Sequence, residues 1–318
     1  MSVSQRRKDF FDFFPAPEFM LLSTAGVAIT DEGVKFVQLR RGMIGGGLKT
    51  ARLDTIERED SAAALKELSS RHGLRYVRAT VPDEKAYLFA AVIDKVPSGG
   101  LRDAIAFILE ENAPVTLSDS VFDFEVLPQE DPNKLKVIVS VLPKKVAAAY
   151  IELFASAGMT IISFDVESQA IARAIMPSGE RRTRMIINLE TRKAGFYVVE
   201  DGFVQFSTTL VHELLSGATG ADFQTHDLKA EMRKVFAFWD AQVGKPGKGR
   251  GNIENAVLCG VGAGNEALVS ELMKESPVEY TLADAWINTD SYPKDRSFDY
   301  APAIGLALPV KTKSHVSH

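Results

Sequence analysis

Two stretches of this chain combine residue types that could do chemistry. The first is the glycine run Leu258-Cys259-Gly260-Val261-Gly262-Ala263-Gly264-Asn265, which closes an apolar strand pattern and opens the helical segment EALVSELM. Alternating glycines at a strand-to-helix turn let a flat base or a phosphate approach bare backbone and a helix N-terminus. The same run also serves plain packing of a helix against a strand, and the residues alone leave the two readings open. The second stretch is Ser163-Phe164-Asp165-Val166-Glu167-Ser168. Asp165 and Glu167 fall on one side of an extended segment, with a helix starting near Ser168. Such a pair could hold a water or a metal, but the preferred reading is a helix start whose acidic residues the helix dipole favours.

Other catalytic classes find no support. The histidines are His72, His212, His226, His315 and His318, without metal-ligand spacing beyond a loose C-terminal pair that reads as a tail. There is no G-x-S-x-G elbow and no Walker P-loop, and Gly45-Gly46-Gly47 reads as a hairpin tip. No catalytic residue and no metal ligand is assigned from the sequence.

The elements that must position these stretches come in two copies. GVAITDEGVKFVQLRRGMI, from Gly26, aligns with IINLETRKAGFYVVEDGFV, from Ile186, in one constant register: Phe36 falls on Phe196, Leu39 on Val199 and Gly42 on Gly202. Each copy reads as strand, polar turn, strand, glycine turn, strand. Helical patterns follow at 61–73, 101–114, 144–159 and 226–244, with strand patterns at 74–82, 87–94, 120–128 and 134–143. Two meander-plus-helix units predict two similar α/β domains with a cleft between them.

Composition agrees with a globular chain. Of 318 residues, 46% are apolar and 25% charged, enough for two cores. A net charge of -5 gives no electrostatic case for nucleic acid. The single cysteine, Cys259, excludes an intrachain disulfide and suits a reducing compartment. No apolar run reaches the roughly 20 residues that span a bilayer. The N-terminal arm, residues 1–21, sets Phe10, Phe11, Phe13 and Phe14 beside Arg6, Arg7 and Lys8. A membrane-surface anchor is one reading; packing on its own domain or on a partner is the preferred one.

In order along the chain, GVAITDEGVKFVQL, LRDAIAFILEENAPVTLSDSVFDFEVL, AGMTIISFDVESQAIARAI, IINLETRKAGFYVVEDG, VLCGVGAGNEAL and YAPAIGLAL resemble the PilM family of type IV pilus assembly proteins. The most distinctive pieces are Asn112-Ala113-Pro114 followed by Asp123 and Glu125, and Asp165-Val166-Glu167-Ser168 running into Ala172-Arg173-Ala174. The resemblance implies an actin-like, ribonuclease H-like α/β fold of duplicated βββαβα halves around a cleft, with an inserted α/β subdomain in the first half. The expected division is 22–82 for the first subdomain, 83–165 for the insertion and 166–318 for the second domain.

The resemblance further implies a cytoplasmic adaptor at the inner face of the inner membrane. Its groove between the first subdomain and the insertion takes up the cytoplasmic tail of a PilN-like membrane protein. Other platform proteins and motor ATPases are implied contacts, and self-association is left open. The strand 87–94 and the helix 101–112 are expected to border that groove. In such a fold the turns at 28–33 and 188–193 face the cleft, and the implied ligand is ATP with magnesium, contacted by Thr30, Asp31, Lys35, Glu167, Gly260, Gly262 and Gly264. This chain departs from the family pattern in that Ala28 and Asn188 stand at the aspartate positions, and Thr30 and Glu190 at the glycine positions. A carboxylate facing phosphate is repelled and costly to bury. A degenerate nucleotide site is therefore expected. An active ATPase or phosphotransferase of the actin and sugar-kinase superfamily, and a polymerising FtsA-like protein, are the competing readings.

Overall fold

The computed structural model describes residues 25–41, 47–127, 131–211, 221–243, 251–290 and 298–309. The aromatic arm, the Gly42 turn, most of the basic 245–251 turn, the C-terminal tail and His212 lie outside them.

The first meander forms β1 (Ala25–Thr30), β2 (Gly33–Arg41) and β3 (Leu48–Ile56), followed by α1 (Ser61–His72) and β4 (Tyr76–Val81). The Asp60 side chain accepts the Ala62 and Ala63 N–H groups to start α1, and left-handed Gly73 ends it. The insertion carries β5 (Tyr87–Asp94), α2 (Leu101–Asn112), β6 (Ser120–Leu127) and β7 (Lys134–Pro143). Next come α3 (Lys144–Ser156), β8 (Thr160–Val166) and α4 (Glu167–Ile175). The second meander is β9 (Arg184–Leu189), β10 (Lys193–Glu200) and β11 (Phe203–Val211). The chain continues through α5 (Ala221–Asp240), β12 (Asn255–Cys259), α6 (Glu266–Met273), β13 (Glu279–Leu282) and α7 (Ala301–Ala307).

The duplication is visible in the sheets. Their orders, β3-β2-β1-β4-β8 and β11-β10-β9-β12-β13, are the same topology twice. Val27 lies opposite Phe36 and Ile187 opposite Phe196, the register in which the two sequences align. Even the irregularity in the middle strand is repeated, between Gln38 and Leu39 in one copy and Val198 and Val199 in the other.

Helices α4 and α7 fill the space between the two sheets. Ala28, Val37 and Leu39 of one sheet and Ile186, Tyr197 and Val257 of the other share a core with Ile171, Ala174, Ala303 and Ile304 of these helices. On the outer faces, α1 and α3 cover the first sheet and α5 and α6 the second. The insertion is the separate sheet β5-β7-β6, with α2 on one face through Ile105 and Leu109.

One assignment differs from the sequence reading. Residues 144–165 were expected in the insertion, but β8 pairs in parallel with β4 and α3 packs Tyr150 and Phe154 onto Leu65 and Leu68. The physical reason is that β4 offers a free parallel edge, which β8 reaches through the α3 crossover. Among the described residues, no helix is long and apolar enough to cross a membrane.

Candidate functional site

The repeated turns meet tip to tip across the cleft. Glu32 accepts hydrogen bonds from the Thr191 hydroxyl at 2.8 Å and its N–H at 3.4 Å, and Asp31 accepts the Arg192 N–H at 2.9 Å. Beneath them lie two cations, one buried and one half-buried. Lys35, 1% exposed, places its Nζ 2.6 Å from Asp299 and 3.3 Å from Glu32. Lys193 sits 2.6 Å from Glu167, 3.7 Å from Glu84 and 3.9 Å from Glu190. Burial alone would lower the Lys193 pKa, but the charges of Glu167, Glu190 and Glu84 hold its ammonium well above the usual range. Burial likewise opposes ionisation of Glu32, yet Lys35 and the Thr191 hydrogen bond keep that carboxyl below its ordinary value.

Glu190 behaves differently. Burial pushes its carboxyl well above the usual range, and the neighbouring Glu167 charge adds to the effect. Its Oε1 accepts from Asn188 Nδ2 at 2.9 Å, while the buried Oε2 has no hydrogen-bond partner among the described residues. The cavity at this point measures about 10 Å³ and is lined by Thr30, Glu32, Lys35, Asn188, Glu190, Gly260 and Asp299 among others. That is room for about one water molecule and far below what a nucleotide requires.

The sign of the Glu190 shift gives a prediction. A carboxyl with a raised folded-state pKa stays protonated in the native protein while the unfolded chain ionises. Stability therefore falls as pH rises from the ordinary carboxyl range towards the folded value, by up to about 1.4 kcal/mol per pH unit. Glu190→Gln keeps the neutral shape and removes that slope. Its melting temperature is expected to match the parent near pH 4 and to exceed it at pH 8, as read by calorimetry at both values. A variant less stable at pH 8 would show that Glu190 is ionised and paired.

Distances account for two of the three glycines in the run. A Cβ on Gly260 would stand 2.4 Å from the Leu189 carbonyl oxygen and 2.7 Å from Asn188 Oδ1. One on Gly262 would meet Leu189 Cβ at 2.8 Å, whereas Gly264 has open space. The first two glycines thus let the loop press against β9, the packing reading of the run. Of the other expected nucleotide contacts, Thr30 and Lys35 line the small cavity, Asp31 is turned to Arg192 and Glu167 is bound to Lys193.

Asp165 and Glu167 do not form one site. Val166 ends β8, α4 begins, and Asp165 turns the other way to pair with Arg173 at 2.5 Å. The start of α4 is held by Asp83, which accepts the Ser168 N–H at 3.0 Å and its hydroxyl at 2.6 Å. Sequence reading missed Asp83 and Asp299, because no local pattern marks a residue that pairs across the fold.

A second concavity lies between the insertion and the first half. This groove, about 340 Å³, is lined by five consecutive residues of β6 (Val121 to Glu125) and four of β8 (Ser163 to Val166). Consecutive rather than alternate residues mean that strand edges face the opening. Both β6 and β8 are the outermost strands of their sheets. The floor is Ile138, Ser140 and Leu142 of β7, with Val81 and Ala86. Glu125, Gln169, Arg173 and Phe203 continue it into a neighbouring hollow of about 490 Å³ that reaches Met176, Arg181 and Asn288.

Neither strand 87–94 nor helix 101–112, expected beside the partner groove, lines this concavity. The central β7 separates β5 from β6, and α2 covers the opposite face of the sheet.

No family model and no curated protein matches the sequence. Among solved structures, a chain of the "PilM-PilN type IV pilus biogenesis complex" superposes with a TM-score of 0.73 at 17% identity, covering 90% of this chain and 98% of that one. The cytoplasmic domain of EpsL, an inner-membrane component of the type II secretion system of Vibrio cholerae, gives a TM-score of 0.49 at 10% identity, covering 91% and 96%. A Bacteroides thetaiotaomicron protein of unknown function, described as having an actin-like ATPase fold, gives 0.43 at 12% identity, covering 82% and 90%. The fold is the actin-like one that the sequence resemblance implies.

Proposed function

We propose that this chain, sharing the fold of a chain from the PilM-PilN complex, works as a PilM-like adaptor whose groove binds the extended cytoplasmic tail of a PilN-like inner-membrane protein. The carrying observation is the pair of edge strands, β6 and β8, that face one apolar groove. An edge strand offers main-chain hydrogen bonds to an added strand, and the pockets beside it select side chains. The adaptor is held at the inner face of the inner membrane through that partner, and further platform proteins and motor ATPases attach to the same body. The cleft favours this reading over catalysis, because its acidic and basic side chains pair with each other and leave a cavity of about 10 Å³.

Two measurements test the proposal. Titration with ATP and magnesium up to millimolar concentration is expected to give no heat and no turnover; micromolar binding with hydrolysis would restore the enzyme reading. For the groove, Val121 is 46% exposed, so Val121→Arg should fold normally. It is expected to weaken binding of a synthetic PilN-like tail peptide at least tenfold, measured by fluorescence anisotropy. Unchanged affinity would remove the groove as the binding site.

A further inference from the structure

We propose that the groove between β6 and β8 is also occupied by the chain's own N-terminal segment, residues 5–14, which a partner's tail must displace. This rests on reading the groove as a peptide site and assigns that site its regulation. Three observations carry it. The floor and walls are mostly apolar, through Val81, Ile138, Leu142, Phe164 and Val166, while β6 places the exposed carboxylates Asp123 and Glu125 at the rim. The segment Gln5-Arg6-Arg7-Lys8-Asp9-Phe10-Phe11-Asp12-Phe13-Phe14 is the complement, with three cations ahead of two phenylalanine pairs and a net charge of +1 even with Asp9 and Asp12. In an extended conformation each face of it carries two of the phenylalanines, so either face fills an apolar floor.

The third observation is reach. Ala25 lies beside Val77, and Val77 beside Ile161, so the groove at Val166 is about 17 Å further along β8 and about 10 Å across two strand spacings. The chain from Phe14 to Ala25 spans up to about 36 Å when extended, which leaves length for a turn. A tether of this kind holds the segment near its site at an effective concentration on the order of millimolar. Even an intrinsic affinity of roughly 100 μM would then keep the groove mostly filled and lower the apparent affinity of a competing tail about tenfold.

Cysteine pairing in the full chain tests the contact. The native Cys259 is buried, and burial pushes its thiol far above the usual range, so introduced thiols react alone. Phe13→Cys with Val121→Cys is expected to form an intramolecular disulfide under mild oxidation, whereas Phe13→Cys with Leu282→Cys, on the far edge strand, is not. A bond found only in dimers would overturn the proposal in favour of a second copy. Absence of the bond, together with arm-dependent binding to phosphatidylglycerol-containing vesicles, would overturn it in favour of a membrane anchor.

Binding provides the independent readout. The variant with Phe10, Phe11, Phe13 and Phe14 all changed to Ser should bind the PilN-like tail peptide about tenfold tighter than the parent chain. Equal affinities would sink the arm while leaving the groove as a partner site. No tail binding to either chain, with the disulfide formed, would sink the partner reading and leave the arm in place.

Discussion

Replacing Lys136 by Met is expected to destabilise the protein by about 3–5 kcal/mol, the usual consequence of leaving one member of a buried ion pair uncompensated. Lys136 lies on β7, on the sheet face opposite α2, and places its Nζ 2.8 Å from Glu200 at the end of β10. The two side chains are 3% and 1% exposed, and the Thr183 hydroxyl donates to the other Glu200 oxygen at 3.3 Å. The pair ties the insertion to the second half where β5 and β7 approach β11. With the lysine gone, Glu200 must either stay charged in a dry site or take up a proton.

Calorimetry reads the loss. Hydrogen exchange should place it in residues 87–143, with weaker tail binding as β6 loosens. The double replacement Lys136→Met with Glu200→Leu should recover most of the stability, because neither charge then has to be desolvated. A cost below about 1 kcal/mol for the single change would mean that water reaches the pair.

Gly305→Ala is expected to cost about 3 kcal/mol or more, although it adds a single methyl group. A Cβ at this position would stand 1.8 Å from the Ala170 carbonyl oxygen and 2.5 Å from its carbon. These are backbone atoms of α4, so no rotamer change relieves the overlap and the two helices must separate. Separation is costly because α4 and α7 form the layer between the sheets. On its other side α7 presses on β1, where a Cβ at Gly26 would lie 2.1 Å from the Ala303 oxygen. Arg173 and Arg78 also donate to the Gly305, Leu306 and Leu308 carbonyls at the end of α7, and both would be displaced. The measurement is the melting temperature, supported by faster hydrogen exchange in both helices. A variant that melts like the parent would show that the crossing is looser than this geometry.

Much of the fold was legible because strand alternation, turn glycines and helix caps are local. The alignment of Phe36 with Phe196 carried the repeated sheet order, and Gly73 marks the end of α1 through its left-handed backbone. Helix α5 buries Leu228, Met232, Val235, Phe236 and Trp239, the face its periodicity predicts. Beyond this range, local pattern gave out. Residues 144–165 look like part of the insertion until β8 is seen on β4, since strand identity does not encode which edge the strand joins.

The chemistry divides in the same way. That the turns carrying Asn188 and Glu190 face the cleft is what the family resemblance implies, and the penalty of a carboxylate there follows from burial; Ala28 instead lies in the core between the sheets. By itself the sequence determined two similar halves and a glycine run with two meanings, and it raised the expectation of a degenerate nucleotide site. Only the tertiary structure decided that Lys193 neutralises Glu167, that Lys35 meets Asp299, that Leu189 fills the space over Gly260, and that β6 and β8 face a common groove. Those outcomes depend on distances between residues remote in the chain, which are set by how whole layers pack.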